Sequence, residues 1–273
     1  MCELLGLSSA QPVGLANILR AFARRGGETA DNPDGWGVYH RHRDDCGLEK
    51  APEAAAASAR FADLARSLRA EVLVAHVRKA NPPTALELEN THPFVRNCCG
   101  QDWIFAHNGK VDAVHDSDPF RQAGICRPYG ATDSEVLFCY LLQEIARVFA
   151  DQSTADATPW FDALATASRL VAAKGQFNFL LTDGTLLLAH AHDRLHGARL
   201  ADRDLNAYLV ASEPLRVAAD WQALGPYQLL VFCRGEILAS LATTPDTNGL
   251  HGARREPEPA NLNRVQSEML IFE

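Results

Sequence analysis

The sequence predicts a single α/β domain of layered antiparallel sheets, on three observations. Short apolar runs bounded by turn residues recur towards both ends of the chain, and two helical stretches occupy the middle. Sharp turn signals such as Thr182-Asp183-Gly184 join consecutive strands as hairpins, which argues against a parallel βαβ array. The length of 273 residues suits one large domain and leaves enough chain to bury a sizeable core.

The elements follow in order. An apolar opening reads as a short strand, and Pro12 to Arg24 carries helical spacing at Val13, Ile18, Leu19 and Phe22 before Gly26-Gly27 ends it. Asp31 to Gly37 is dense in turn formers, with Val38-Tyr39 a strand after it. The alanine-rich stretch Ala54 to Ala70 is expected to be helical, and Glu71 to Arg78 a buried strand. Residues 79–101, with three prolines, read as one long loop of the kind that often carries function. Asp102 to His107 is another strand, which Asn108-Gly109 is expected to stop.

Thr132 and Glu135 stand at capping-box spacing ahead of an apolar helix, and a second helix runs from Thr158 to Lys174. Three further strands follow at Phe177–Leu181, Thr185–Ala189 and Ala207–Ala211, and then a hairpin over Leu229–Leu238 turning at Arg234-Gly235. The domain is expected to span residues 1–240. Residues 241–273, polar and rich in Pro, Asn and Gly, read as a tail without a legible function.

Composition excludes several classes. A net charge of −8 without a Lys/Arg cluster argues against a nucleic-acid partner. No apolar run reaches the roughly 18–20 residues of a membrane span, and no basic-then-apolar leader opens the chain, so a cytoplasmic protein is expected. Seven cysteines in irregular positions without a CxxC pair read as reduced thiols, the adjacent Cys98 and Cys99 included. His190 and His192 share a strand face with His196 nearby, but no fourth ligand completes a metal site. Neither GxGxxG nor GxxxxGK occurs, so no cofactor is expected.

Cys2 carries the chemistry. Its small side chain next to Met1 favours removal of the initiator, which would leave a free α-amine, of pKa about 7.7–8.0, on the carbon that bears the thiol. Such an amine can act as the base for its own side chain. Free cysteine is also commonly just a buried apolar residue, and Cys2 alone does not decide between the two. Cys2, Ala75-His76-Val77-Arg78, Asn90 to Phe94, Ala106 to Gly109 and Gly130 to Glu135 occur together in this order.

This set resembles the class II glutamine amidotransferases, the N-terminal-nucleophile family, and is most similar to its stand-alone YafJ-type members. The resemblance covers roughly residues 1–240. It implies an α+β fold, the Ntn-hydrolase αββα four-layer sandwich of two antiparallel sheets between helical layers. It also implies a reaction in which the Cys2 thiol attacks the glutamine side-chain amide, ammonia leaves and water releases glutamate. By the same resemblance Asn108, through its side chain, and Gly109, through its N–H, match the oxyanion-hole pair. Arg78 matches the residue that takes the substrate α-carboxylate, and Asp133 the one that takes the α-ammonium.

His92 matches a histidine near the substrate, with a loop-shaping role equally open. Where larger members carry a tryptophan and a threonine after the arginine, this chain has Lys79-Ala80-Asn81-Pro82-Pro83. The short tail offers no acceptor domain. The expected partners are a small-molecule substrate (glutamine or a γ-glutamyl compound) and an acceptor enzyme in trans, with no nucleic acid and no membrane. Plain glutaminase activity, hydrolysis of another γ-glutamyl compound as in ergothioneine biosynthesis, and a non-catalytic module of the same fold stay open.

Overall fold

The computed structural model describes residues 1–245, apart from 82–83, 113, 116, 121–123, 151–157 and 218–219. The Pro82-Pro83 pair and most of the expected tail therefore lie outside the described residues.

Strand β1 (Glu3–Gly14) starts one residue after Cys2 and lies at the centre of a seven-stranded sheet. It pairs antiparallel with β4 (Arg69–Val77) on one side and β10 (Ala207–Ala211) on the other. Beyond β4 come β2 (Trp36–His42) and β3 (Asp45–Ala51). Beyond β10 come β9 (His196–Arg199) and the two-residue β11 (Gln222–Ala223).

The second sheet has six strands: β13 (Glu236–Ala242), β12 (Gln228–Cys233), β8 (Leu186–Ala191), β7 (Gly175–Thr182), β6 (Gln101–Val111) and β5 (Phe94–Cys98), in that order. Helices α1 (Ala16–Arg25) and α2 (Ala59–Ser67) pack on the first sheet, and α3 (Asp133–Ala150) and α4 (Thr158–Ala172) on the second.

Three apolar layers result, and strand alternation assigns side chains to them. Leu5 and Leu7 of β1 join Phe22 and Phe61 beneath α1 and α2. Leu4, out of phase with them by one residue, points into the layer between the sheets with Val74, Ala106 and Leu180. Phe105 stacks on Phe138 at 5.0 Å in the layer beneath α3 and α4. The order helix, sheet, sheet, helix is the four-layer α+β sandwich expected above. The opening Leu4 to Leu7 of β1 is continuously apolar because both of its faces are covered.

Several local expectations are corrected. The first helix begins at Ala16 rather than Pro12, because Val13 and Gly14 pair with Ala70 and Arg69 and keep the chain extended. The alanine-rich stretch is broken at Ser58. That residue is extended and caps α2 by accepting from the Phe61 N–H at 3.2 Å. Phe94–Cys98, placed in a loop by its prolines, is an edge strand paired with β6.

The Asn108-Gly109 turn signal is overridden as well. Strand β6 continues to Val111 because Asn108 and Gly109 pair with Asn178 and Phe177. A Cβ at Gly109 would lie 1.9 Å from the Gln176 carbonyl oxygen, so a close approach, and no hairpin, requires glycine there. Thr132 does cap α3, with its hydroxyl accepting from the Glu135 N–H at 3.3 Å. Glu135 does not complete a capping box. Its carboxylate takes the Tyr129 and Gly130 N–H groups and pairs with buried Arg96.

The expectation of reduced thiols throughout is also corrected, since Cys126 and Cys139 are joined in a disulfide that ties the segment before α3 to the helix. Cys98 and Cys99 are free thiols. No helix among the described residues is long and apolar enough to cross a membrane.

Candidate active site

The topology brings the chain start to the edge of a cleft. Glu3 pairs with Val77, so the chain before β1 runs beside the chain after β4. The Cys2 Sγ accepts from the Lys79 N–H at 3.2 Å and lies 3.3 Å from the Lys79 carbonyl oxygen. Cys2 is partly buried. Burial pushes its thiol up, while the Lys79 N–H, the terminal ammonium and the Arg78 guanidinium pull it back down.

A cleft of about 340 Å³ is lined by Cys2, Arg78, His92, Gly109 and Asp133, five of the six residues expected to form the site. The sixth, Asn108, is buried behind it, with its amide nitrogen donating to the Ser212 hydroxyl at 3.0 Å. Lys110, Asp112 and His115 line the same cleft.

Arg78 is held by its main chain. Its N–H donates to the Gly35 carbonyl at 2.8 Å, its carbonyl accepts from the Asp34 N–H at 3.0 Å, and Asp34 Oδ2 takes the Ala80 N–H at 2.8 Å. The Asp34-Gly35 turn is thus a clamp on the arginine, with Trp36 buried beside it. Arg78 as a residue is only 3 % exposed; its guanidinium donates to the Ala85 carbonyl and has no carboxylate within ion-pair distance among the described residues. A buried cation without an anion is costly, so an incoming carboxylate gains a prepared partner.

Asp133 opens α3. Its Oδ2 accepts from the Val111 N–H and its Oδ1 from the Ser134 N–H, both at 2.9 Å. These bonds orient the carboxylate, and no cation pairs with it among the described residues.

His92 packs between His76 at 4.3 Å and Phe94 at 4.4 Å, and neither of its ring nitrogens has a hydrogen-bond partner among the described residues. It lines the cleft. Burial holds His92 well below the usual histidine range, and His76 down to about 3.

His190, set aside above as a metal ligand, is explained by ordinary hydrogen bonds. Its nitrogens meet the Phe177 carbonyl at 2.5 Å and the Thr243 hydroxyl at 2.7 Å, and burial lowers its pKa to about 4. No group of three metal-ligating side chains occurs among the described residues.

These histidines make stability pH-dependent. The unfolded chain takes up protons near pH 6.5, whereas folded His76 and His190 stay neutral to about 3 and about 4. The unfolded state therefore binds more protons between those values, and stability falls as pH drops below 6.5. The expected slope is about 1.4 kcal/mol per pH unit for each histidine. Urea-unfolding midpoints measured from pH 7 to pH 5 should decline accordingly, and a flat profile would contradict the assignment.

Sequence reasoning missed Ser212, Asn178 and the clamping role of Asp34. Asn178 donates from its side chain to the Asn108 carbonyl at 3.2 Å, while its Oδ1 accepts the N–H groups of His192, Asp193 and Arg194. A single polar residue within or just past an apolar strand carries no pattern that announces such a role.

A partly buried cysteine next to the chain start shares one cleft of a four-layer sandwich with an arginine and an aspartate that have no ion-pair partner among the described residues. Residues 1–202 match the family described as Glutamine amidotransferases class-II, and the chain belongs to that family. Among relatives, it is 31% identical over 259 residues to "Putative glutamine amidotransferase YafJ" of Escherichia coli K12, covering 86% of this chain and 99% of that protein.

Among solved structures, it is similar to a "predicted glutamine amidotransferase" from Pseudomonas aeruginosa. That match has 30% identity and a TM-score of 0.63, and covers 87% of this chain and all of the other. The glutamine phosphoribosylpyrophosphate amidotransferase of B. subtilis shares the fold, with a TM-score of 0.65 at 18% identity over 90% of this chain and half of that one.

Proposed function

We propose that this protein hydrolyses the side-chain amide of glutamine through a thioester on Cys2, giving glutamate and ammonia. The observation that carries the reading is the presence in the Cys2 cleft of two opposite charges that have no ion-pair partner among the described residues. Arg78 is a buried residue whose guanidinium meets no carboxylate there within ion-pair distance, and Asp133 is an oriented carboxylate that meets no cation. An α-amino acid supplies both missing charges on one carbon, and its side chain is left to meet the thiol.

In the proposed sequence, Met1 has been removed and the α-amine of Cys2 takes the proton from Sγ. The sulfur attacks the amide carbon, forming a C–S bond, and the carbonyl oxygen becomes an oxyanion that takes hydrogen bonds from Asn108 and Gly109. The C–N bond then breaks as the nitrogen receives the proton back, and ammonia leaves. Water, losing a proton to the same amine, attacks the thioester. The C–S bond breaks, glutamate departs, and the thiol is regenerated. Met1 is 60 % exposed, which favours its access to an aminopeptidase. The ammonia acceptor is proposed to be a separate enzyme.

The test is release of glutamate and ammonia from glutamine by chain whose intact mass shows Met1 absent. A glutamine-analogue electrophile should abolish turnover with one adduct, mapped to Cys2. If glutamine is inert and a bulkier γ-glutamyl amide is cleaved, the substrate assignment moves to that class. Adduct formation on another cysteine would overturn the mechanism.

A further inference from the structure

We infer that Ser212 is the positioning residue that sets the oxyanion donor Asn108 in register with the nucleophile strand; this rests on the function proposed above. Ser212 lies just past β10 and is completely buried. Its hydroxyl oxygen accepts two hydrogen bonds at 3.0 Å, one from the Leu4 N–H and one from the Asn108 side-chain amide. Its own N–H donates to the Leu4 carbonyl, again at 3.0 Å. Both lone pairs of the hydroxyl are thereby used.

The two donors come from different sheets. Leu4 is two residues from Cys2 on β1, whereas Asn108 precedes Gly109 on β6. The layer between the sheets is otherwise filled by residues such as Val74, Ile104, Leu180 and Phe232, which pack without fixing direction. Ser212 supplies a directional bond from the nucleophile strand to the oxyanion residue.

The Asn108 amide has two N–H groups. Ser212 takes one, which fixes the amide plane and leaves the other for a developing oxyanion. Asn178 braces the Asn108 carbonyl from the opposite side, but among the described residues Ser212 is the one group bonded to the Asn108 side chain. Preorganisation of this kind costs no rearrangement at the moment of reaction.

The experiment is a double-mutant cycle on the Met1-free chain with glutamine as substrate. Ser212→Ala should lower kcat about 10- to 100-fold, short of the roughly 10²–10³ expected for losing the donor altogether, with KM changed less than about threefold. Alkylation of Cys2 by iodoacetamide, which builds no oxyanion, should keep its rate. In an Asn108→Ala background, Ser212→Ala should cost less than about twofold more, because its partner is already gone. Ser212→Thr, which keeps the hydroxyl, should recover most of kcat.

Should Ser212→Ala not fold, Ser212→Cys, whose sulfur is a weak acceptor, takes its place with the same expected pattern. Unchanged kcat, full additivity in the cycle, or equal loss of alkylation and turnover would overturn the assignment. Absence of turnover in the unsubstituted chain would instead overturn the glutamine reading, and this inference with it.

Discussion

Cys2→Ala is expected to abolish glutamine turnover to the limit of detection while leaving the thermal transition within a few degrees of the parent. In the proposed mechanism the thiol forms the acyl link, and its sulfur is the atom held against the Lys79 main chain. Its removal deletes little buried volume, which is why the fold should hold. The companion form, with Met1 retained on an intact Cys2, should be equally inactive, since an amide nitrogen cannot take the Sγ proton. Paired glutaminase assays and intact-mass spectra on the three forms decide the matter. Wild-type turnover by either altered form would sink the proposed mechanism.

Asp133→Asn is expected to raise KM for glutamine roughly 10- to 100-fold, corresponding to about 1.5–3 kcal/mol for a hydrogen bond to a charged group. Asparagine is chosen over alanine because Asp133 also accepts the Val111 and Ser134 N–H groups. An amide keeps one acceptor oxygen, so it still serves one of the two N–H groups while losing the charge and the second acceptor. Stability should therefore fall by about 1–3 kcal/mol, and KM is to be measured well below the melting temperature, where the variant is folded. A KM equal to that of the parent would return Asp133 to an ordinary first-turn acid favoured by the helix dipole.

Much of this site was legible in the sequence because its chemistry sits in short, contiguous motifs. Cys2, Arg78, His92, Gly109 and Asp133 were all read in advance, and all line one cleft. The strands β4, β7, β8, β10 and β12 were equally plain, since apolar runs flanked by turn residues follow from burial on both faces. Misreadings fell where a local signal lost to pairing partners far away in the chain. Asn108-Gly109 looks like a turn, yet ladder bonds to residues 177 and 178 keep it extended. Ser58 interrupts a run of good helix formers because it serves α2 as a cap. β3 escaped notice because it is a partly polar edge strand, where apolar alternation is not demanded, and β9 because it has only four residues.

By itself, the sequence determined the family, the order of the catalytic motifs and the class of reaction to be tested. Those follow from residue types at fixed places along the chain. What only the tertiary structure decided is how the charges stand once water is removed. It left Arg78 without an ion-pair partner among the described residues, placed Asn108 behind the cleft on Ser212, and joined Cys126 to Cys139. Ser212 is about two hundred residues from Leu4 and about one hundred from Asn108, so only the packing of two sheets could make their hydrogen bonds meet on one oxygen.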